Sequence, residues 1–139
     1  MRSLKAIIAG CAFIVVVILL MQLLYIFVAV GYNALAKGYP FLNDISGLFR
    51  YIVGIPVFVI IMFAGGYITA TLAGEGGIMK VWPHSMAVGL ITAGGMIYSA
   101  MENASLTMTG IVVFILALAA TTAGGLYWQN DNKDGSYSN

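Results

Sequence analysis

One histidine, one cysteine and a few acids are all that this chain offers to side-chain chemistry, and their spacing limits what they can do together. His84 and Glu102 bracket one apolar stretch. Eighteen residues of helix would hold them about 27 Å apart, which excludes a dyad within one subunit. Glu75 lies closer, across a short predicted turn, and could meet His84 as a proton-sensitive pair. The alternative for His84 is an interfacial side chain touching water or headgroups. A single Cys11 and a single His84 with scattered acids give no metal-ligand spacing. No serine has a second histidine or a buried base to activate it. The sequence therefore predicts no catalytic residue, no metal and no cofactor, and a protein that is not an enzyme.

The elements that must position these groups are set by charge. Six basic and five acidic side chains are the only ionised groups in 139 residues. They leave 6–36, 51–74, 81–101 and 103–130 free of charge. About 20 apolar residues cross a bilayer as a helix, so each stretch is long enough. The expected fold is all-α: one integral membrane domain, a four-helix transmembrane bundle with spans at 6–30, 51–73, 84–101 and 106–128. A polar, frayed tail follows at 129–139. Mean hydropathy of +0.98 and 8% charged residues agree with this, since soluble chains carry about 25%. A net charge of +1 leaves no electrostatic footprint for nucleic acid. The expected partners are the lipid bilayer and either another membrane protein or further copies of the chain.

Two N-terminal features imitate sorting signals. Ile8-Ala9-Gly10-Cys11 looks like a lipobox, but most of the apolar run follows the cysteine, which predicts a small thiol inside a helix. Arg2 and Lys5 precede an apolar run of 25 residues. Signal h-regions run about 7–15, so an uncleaved first span is expected.

Within the spans, small residues recur every fourth position. Gly66, Ala70 and Gly74 form one stripe, Ser85, Gly89 and Ala93 a second, and Ala117, Thr121 and Gly125 a third. Such stripes let helix backbones approach closely. Ala-Gly-Gly occurs at 64–66, 93–95 and 123–125, predicting tight packing among spans two, three and four; glycines as hinges or pore lining are the alternative. Gln22 is the one strongly polar side chain inside span one. It is expected to hydrogen-bond to a neighbouring helix, or else to contact a pore or substrate.

The connections are short. The first, 31–50, has a cap at Asn43 or Asp44, with Ile45, Leu48 and Phe49 on one face. That predicts one or two helical turns, in the interface or packed on the helix ends. Pro56 could kink span two, and Pro83 suits a helix start. Gly74-Glu75-Gly76-Gly77 lacks the phosphate-loop spacing. Asn103-Ala104-Ser105 matches a glycosylation sequon but sits in too short a turn to be a good acceptor. Tyr32, Tyr39, Tyr51, Trp82, Tyr127 and Trp128 fall near span ends, as in an aromatic belt. Arg2, Lys5, Lys80 and Lys133 on one side oppose Lys37 and Arg50 on the other, which predicts both termini in the cytoplasm.

Gly65-Gly66-Tyr67-Ile68-Thr69-Ala70, followed by Leu72-Ala73-Gly74 and a helix opening at Pro83-His84, resembles small four-span bacterial inner-membrane proteins of uncharacterised function. The resemblance covers about 25 residues and implies a bacterial inner-membrane location without implying an activity.

Taken together, the residues predict a structural or accessory membrane protein that associates through small-residue helix faces. The runner-up is a small oligomeric channel or transporter whose uncharged pore is lined by groups such as Thr69, Thr92, Ser99 and Thr121. A proton-coupled exporter is disfavoured because no ionisable group lies at bilayer depth.

Overall fold

A computed structural model describes the backbone of residues 2–39, 42–75, 80–103 and 108–134. Over these residues the chain is all-helical: α1 (Arg2–Ala36), α2 (Leu42–Glu75), α3 (Trp82–Asn103) and α4 (Met108–Asp134). Three of the helices carry stretches long and apolar enough to cross a membrane, at Leu4–Leu35, Ile52–Glu75 and Gly110–Asn132. Helix is what such runs must form in lipid, because every backbone N–H and C=O has to find its partner inside the segment.

Helix ends extend past the apolar runs. α1 continues to Ala36 rather than stopping near residue 30, and α2 begins at Leu42. The turns expected within 31–50 are thus the first turns of α2 itself. Membrane thickness limits apolarity, not helicity, and no proline interrupts 42–51. At the other end α4 runs on to Asp134, so residues 129–134 are helical rather than frayed; Asn132 Nδ2 donates to the Trp128 carbonyl at 3.0 Å. Pro56 sits inside α2, and the helix passes through it with one intrahelical bond fewer. Pro83 occupies the first turn of α3, where its missing N–H has no partner to lose. The Gly76-Gly77 turn, the sequon at Ala104-Ser105 and residues 135–139 lie outside the described residues.

Close approaches fix the directions. Gly10 meets Thr69 and Ile14 meets Gly65, so α1 and α2 are antiparallel. Gly125 faces Ser85 while Gly89 faces Thr121, so α3 and α4 are antiparallel. Gly66 lies against Thr121 and Gly74 against Trp128, which makes α2 and α4 parallel. α2 packs most extensively on α4, and α3 packs on both; among the described residues α1 touches α2 and α3 but does not approach α4.

The distribution of side chains is inverted relative to a soluble protein. The interior is made of small residues and hydroxyls: Ala70, Ala73, Ala93, Ala117, Ala120, Thr69, Ser85 and Thr121 are buried. Large apolar side chains cover the outside, among them Leu19, Leu23, Ile26 and Phe27 on α1. Hydrocarbon solvates such residues as well as a protein core would, so no driving force buries them. Larger side chains enter the core where Ile14, Ile61, Met62 and Val88 pack together, and Val81 joins Ala6, Ala70 and Ala73 in a second cluster.

Candidate functional site

The three small-residue stripes meet where α2, α3 and α4 come together. A methyl group placed at Gly66 would stand 2.8 Å from Cα and 2.7 Å from the carbonyl carbon of Thr121. One at Gly124 would stand 2.9 Å from the Tyr67 nitrogen and 3.1 Å from the Phe63 carbonyl carbon. At both positions backbone lies against backbone, and no rotamer change could make room. Ala70 is fully buried on the same stripe, and Gly74 accommodates the edge of the Trp128 ring. Tyr127, beside it, stacks obliquely on Phe63 and Tyr67 at 6.0 Å and 6.3 Å. Trp128 and Tyr127 therefore help hold α2 to α4, beyond the belt position expected for them.

Hydroxyl-bearing residues pack onto glycines of the next helix. Thr69 fills the space left at Gly10, Thr121 that at Gly89, and Ser85 that at Gly125. The threonine hydroxyls donate to carbonyls one turn back in their own helices: Thr69 to Gly65 (2.8 Å), Thr92 to Val88 (2.7 Å), Thr121 to Ala117 (2.9 Å) and Thr122 to Leu118 (2.7 Å). Ser85 differs, donating across the interface to the Gly66 carbonyl at 2.8 Å. Replacing Ser85 by alanine keeps the fit against Gly125 and removes only this bond. The expected loss is about 0.6–1.7 kcal/mol of stability, measurable by SDS titration of the purified protein. A Ser85→Ala protein as stable as the parent would show that the bond adds nothing.

The Ala-Gly-Gly segments do not behave alike. Gly65 and Gly66, and Gly124 and Gly125, are all contact positions, whereas a methyl at Gly94 or Gly95 would meet nothing within 4 Å. The expectation of tight packing thus fails for the pair in α3. Gly65 packs on Ile14 of α1, a helix outside the three for which tight packing is expected, and the contact at Gly10 is not foreseen in the sequence. Gly10 sits four residues before Ile14, and that spacing was the available signal.

The polar candidates are not brought together. His84 lies in the first turn of α3, and its Nδ1 is buried without a hydrogen bond. Glu75 ends α2, is exposed, and does not pair with it. Glu102 is near the far end of the same helix as His84, with its side chain outside the described residues. Cys11 is half-buried in α1, beside the core that contains Ile14. Gln22 is exposed on α1 and makes no hydrogen bond among the described residues. The expected bond to a neighbouring helix is not made within the described residues of the chain: α1 and α2 separate at this level and leave a groove. Gln129 Oε1, near the end of α4, is likewise buried without a partner. Among the described residues no three His, Cys, Asp or Glu side chains converge as a metal site would need.

Comparison of the chain with protein-family models, with curated proteins and with solved structures finds no match.

Proposed function

We propose that this chain is a four-span membrane protein with a structural or accessory role, associating with another membrane protein or with itself. The observation that carries the reading is the exposure of α1. Only 6% of its 18-residue apolar stretch is buried, against 28% of the corresponding stretches in α2 and in α4. Its Leu, Ile, Val and Phe side chains form a long face free for lipid or for another helix. The three small-residue stripes are already occupied within the chain, so association falls to α1 and to the open Gly94–Gly95 side of α3 rather than to the stripes. The channel alternative has less support, because Thr69, Thr92 and Thr121 spend their hydroxyls on their own helices and Ser85 on Gly66.

The reading is tested by affinity purification from membranes in mild detergent, with mass spectrometry of what co-elutes. Stoichiometric recovery of a second membrane protein, or of untagged copies of this chain, is the expected result. Recovery of the tagged chain alone, together with selective ion flux after reconstitution into vesicles, would replace the accessory reading by the channel one.

A further inference from the structure

The groove between α1 and α2 holds a feature that lipid alone does not satisfy. It is bounded by Ile18, Met21 and Ile26 on one side and by Val53, Val57 and Phe58 on the other, with a volume of about 490 Å³. Gly54 opens its floor, and a methyl there would meet nothing within 4 Å. The wall is apolar except for the Gln22 amide and the Tyr25 hydroxyl. Since Gly10 faces Thr69 and Ile14 faces Gly65, the antiparallel register places Gln22 level with Val57. That is about 8 Å inside the first residue of the Ile52–Glu75 span, at 1.5 Å per residue. At this depth an acyl chain offers no donor or acceptor, and an unpaired amide is costly.

We infer that the groove is the docking site of a second copy of this chain, in a two-fold dimer whose two Gln22 amides hydrogen-bond to each other. A glutamine amide carries both an acceptor oxygen and two N–H donors. It is therefore complementary to itself, which is what a two-fold axis demands of a residue lying on it. The partner's α1 supplies the apolar filling through the residues that flank its own Gln22 at helical spacing, as Leu19 and Ile26 are exposed and match the groove wall in chemistry. This rests on the proposed associating role and narrows it to self-association.

The test uses full-length protein with Cys11→Ala, labelled through an appended tag, in phosphatidylethanolamine–phosphatidylglycerol vesicles over a range of protein-to-lipid ratios. Energy transfer between copies should appear, and Gln22→Cys should give a disulfide-linked dimer on oxidation. Gln22→Leu, which removes a polar group from lipid and leaves the fold intact, should weaken the dimer about 3- to 10-fold. Gln22→Asn should retain most of it. Gly54→Leu fills the groove from within the same chain and should abolish transfer. Monomers at every ratio, or a dimer unchanged by both Gln22→Leu and Gly54→Leu, would overturn the inference. Monomers that still co-purify with a different membrane protein would remove this dimer while leaving the accessory role standing.

Discussion

Gly66→Leu is expected to prevent the helices from closing, and even Gly66→Ala should destabilise them. The added carbon would stand within 3 Å of Cα and the carbonyl carbon of Thr121. Normal carbon contacts begin at about 3.5 Å, so α2 and α4 would have to separate along their whole contact. A single methyl forced into a packed interior costs about 1–3 kcal/mol, occasionally more. Alanine recovers at most about 1 kcal/mol through its better helix propensity. The net change for Gly66→Ala is a loss. For leucine, separation would also strip Ser85 of its acceptor on Gly66 and lift Trp128 off Gly74. Gly94→Ala and Gly95→Ala are the matched controls. They gain helix propensity with no obstacle and should be neutral or up to about 1 kcal/mol more stable. SDS titration of the four proteins separates these outcomes. If Gly66→Ala and Gly95→Ala behave alike, close packing of α2 on α4 is not what holds the protein together.

That contrast shows how far the sequence could be read. Long charge-free runs are a one-dimensional signal, and helices with membrane-length apolar stretches follow from them directly. A four-residue stripe of small side chains is also visible in one dimension, but it only states that a close approach is available. Gly66 and Gly95 both belong to an Ala-Gly-Gly segment, yet one touches Thr121 and the other faces open space. Which glycine is used depends on the crossing point of two helices, and no local pattern carries that. Gln22 shows the same limit from the other direction. Its polarity marked it as needing a partner, but the divergence of α1 from α2 that leaves it unpaired is a tertiary property. Helix ends differ for a simpler reason: polarity changes at the bilayer surface, while backbone hydrogen bonding does not depend on it and carries α1 on to Ala36 and α4 on to Asp134. Trp128 stands near a span end, which is all its position in the sequence shows; its ring lies over Gly74 because the small residue there leaves room for it.

The second large effect concerns topology, and it turns on α3. Reporter fusions after Asn139 and after Lys5 should both report cytoplasm, and a fusion at Lys37 the opposite side. α2 and α4 both carry membrane-length apolar stretches and run parallel, Gly66 beside Thr121 and Gly74 beside Trp128. Two parallel spans require the intervening chain to return across the bilayer. The only helix described between them is α3, whose 22 residues reach about 33 Å; the hydrocarbon core is about 30 Å thick. Its antiparallel packing on α4 and the burial of Ser85, Val88 and Ala93 are what a crossing helix would show. α3 is the least apolar candidate because its inner face carries Ser85, Gly89 and Thr92. Those groups are satisfied by Gly66, by Thr121 packing and by the Val88 carbonyl, so they do not bar it from lipid depth. With four crossings Arg2, Lys5, Lys80 and Lys133 would fall on one side and Lys37 and Arg50 on the other, and that bias predicts the direction. A chain that crosses only three times would put Asn139 and Lys5 on opposite sides. That result would force α2 and α4 to be antiparallel in the membrane, and the contact between Gly66 and Thr121 could not exist as described.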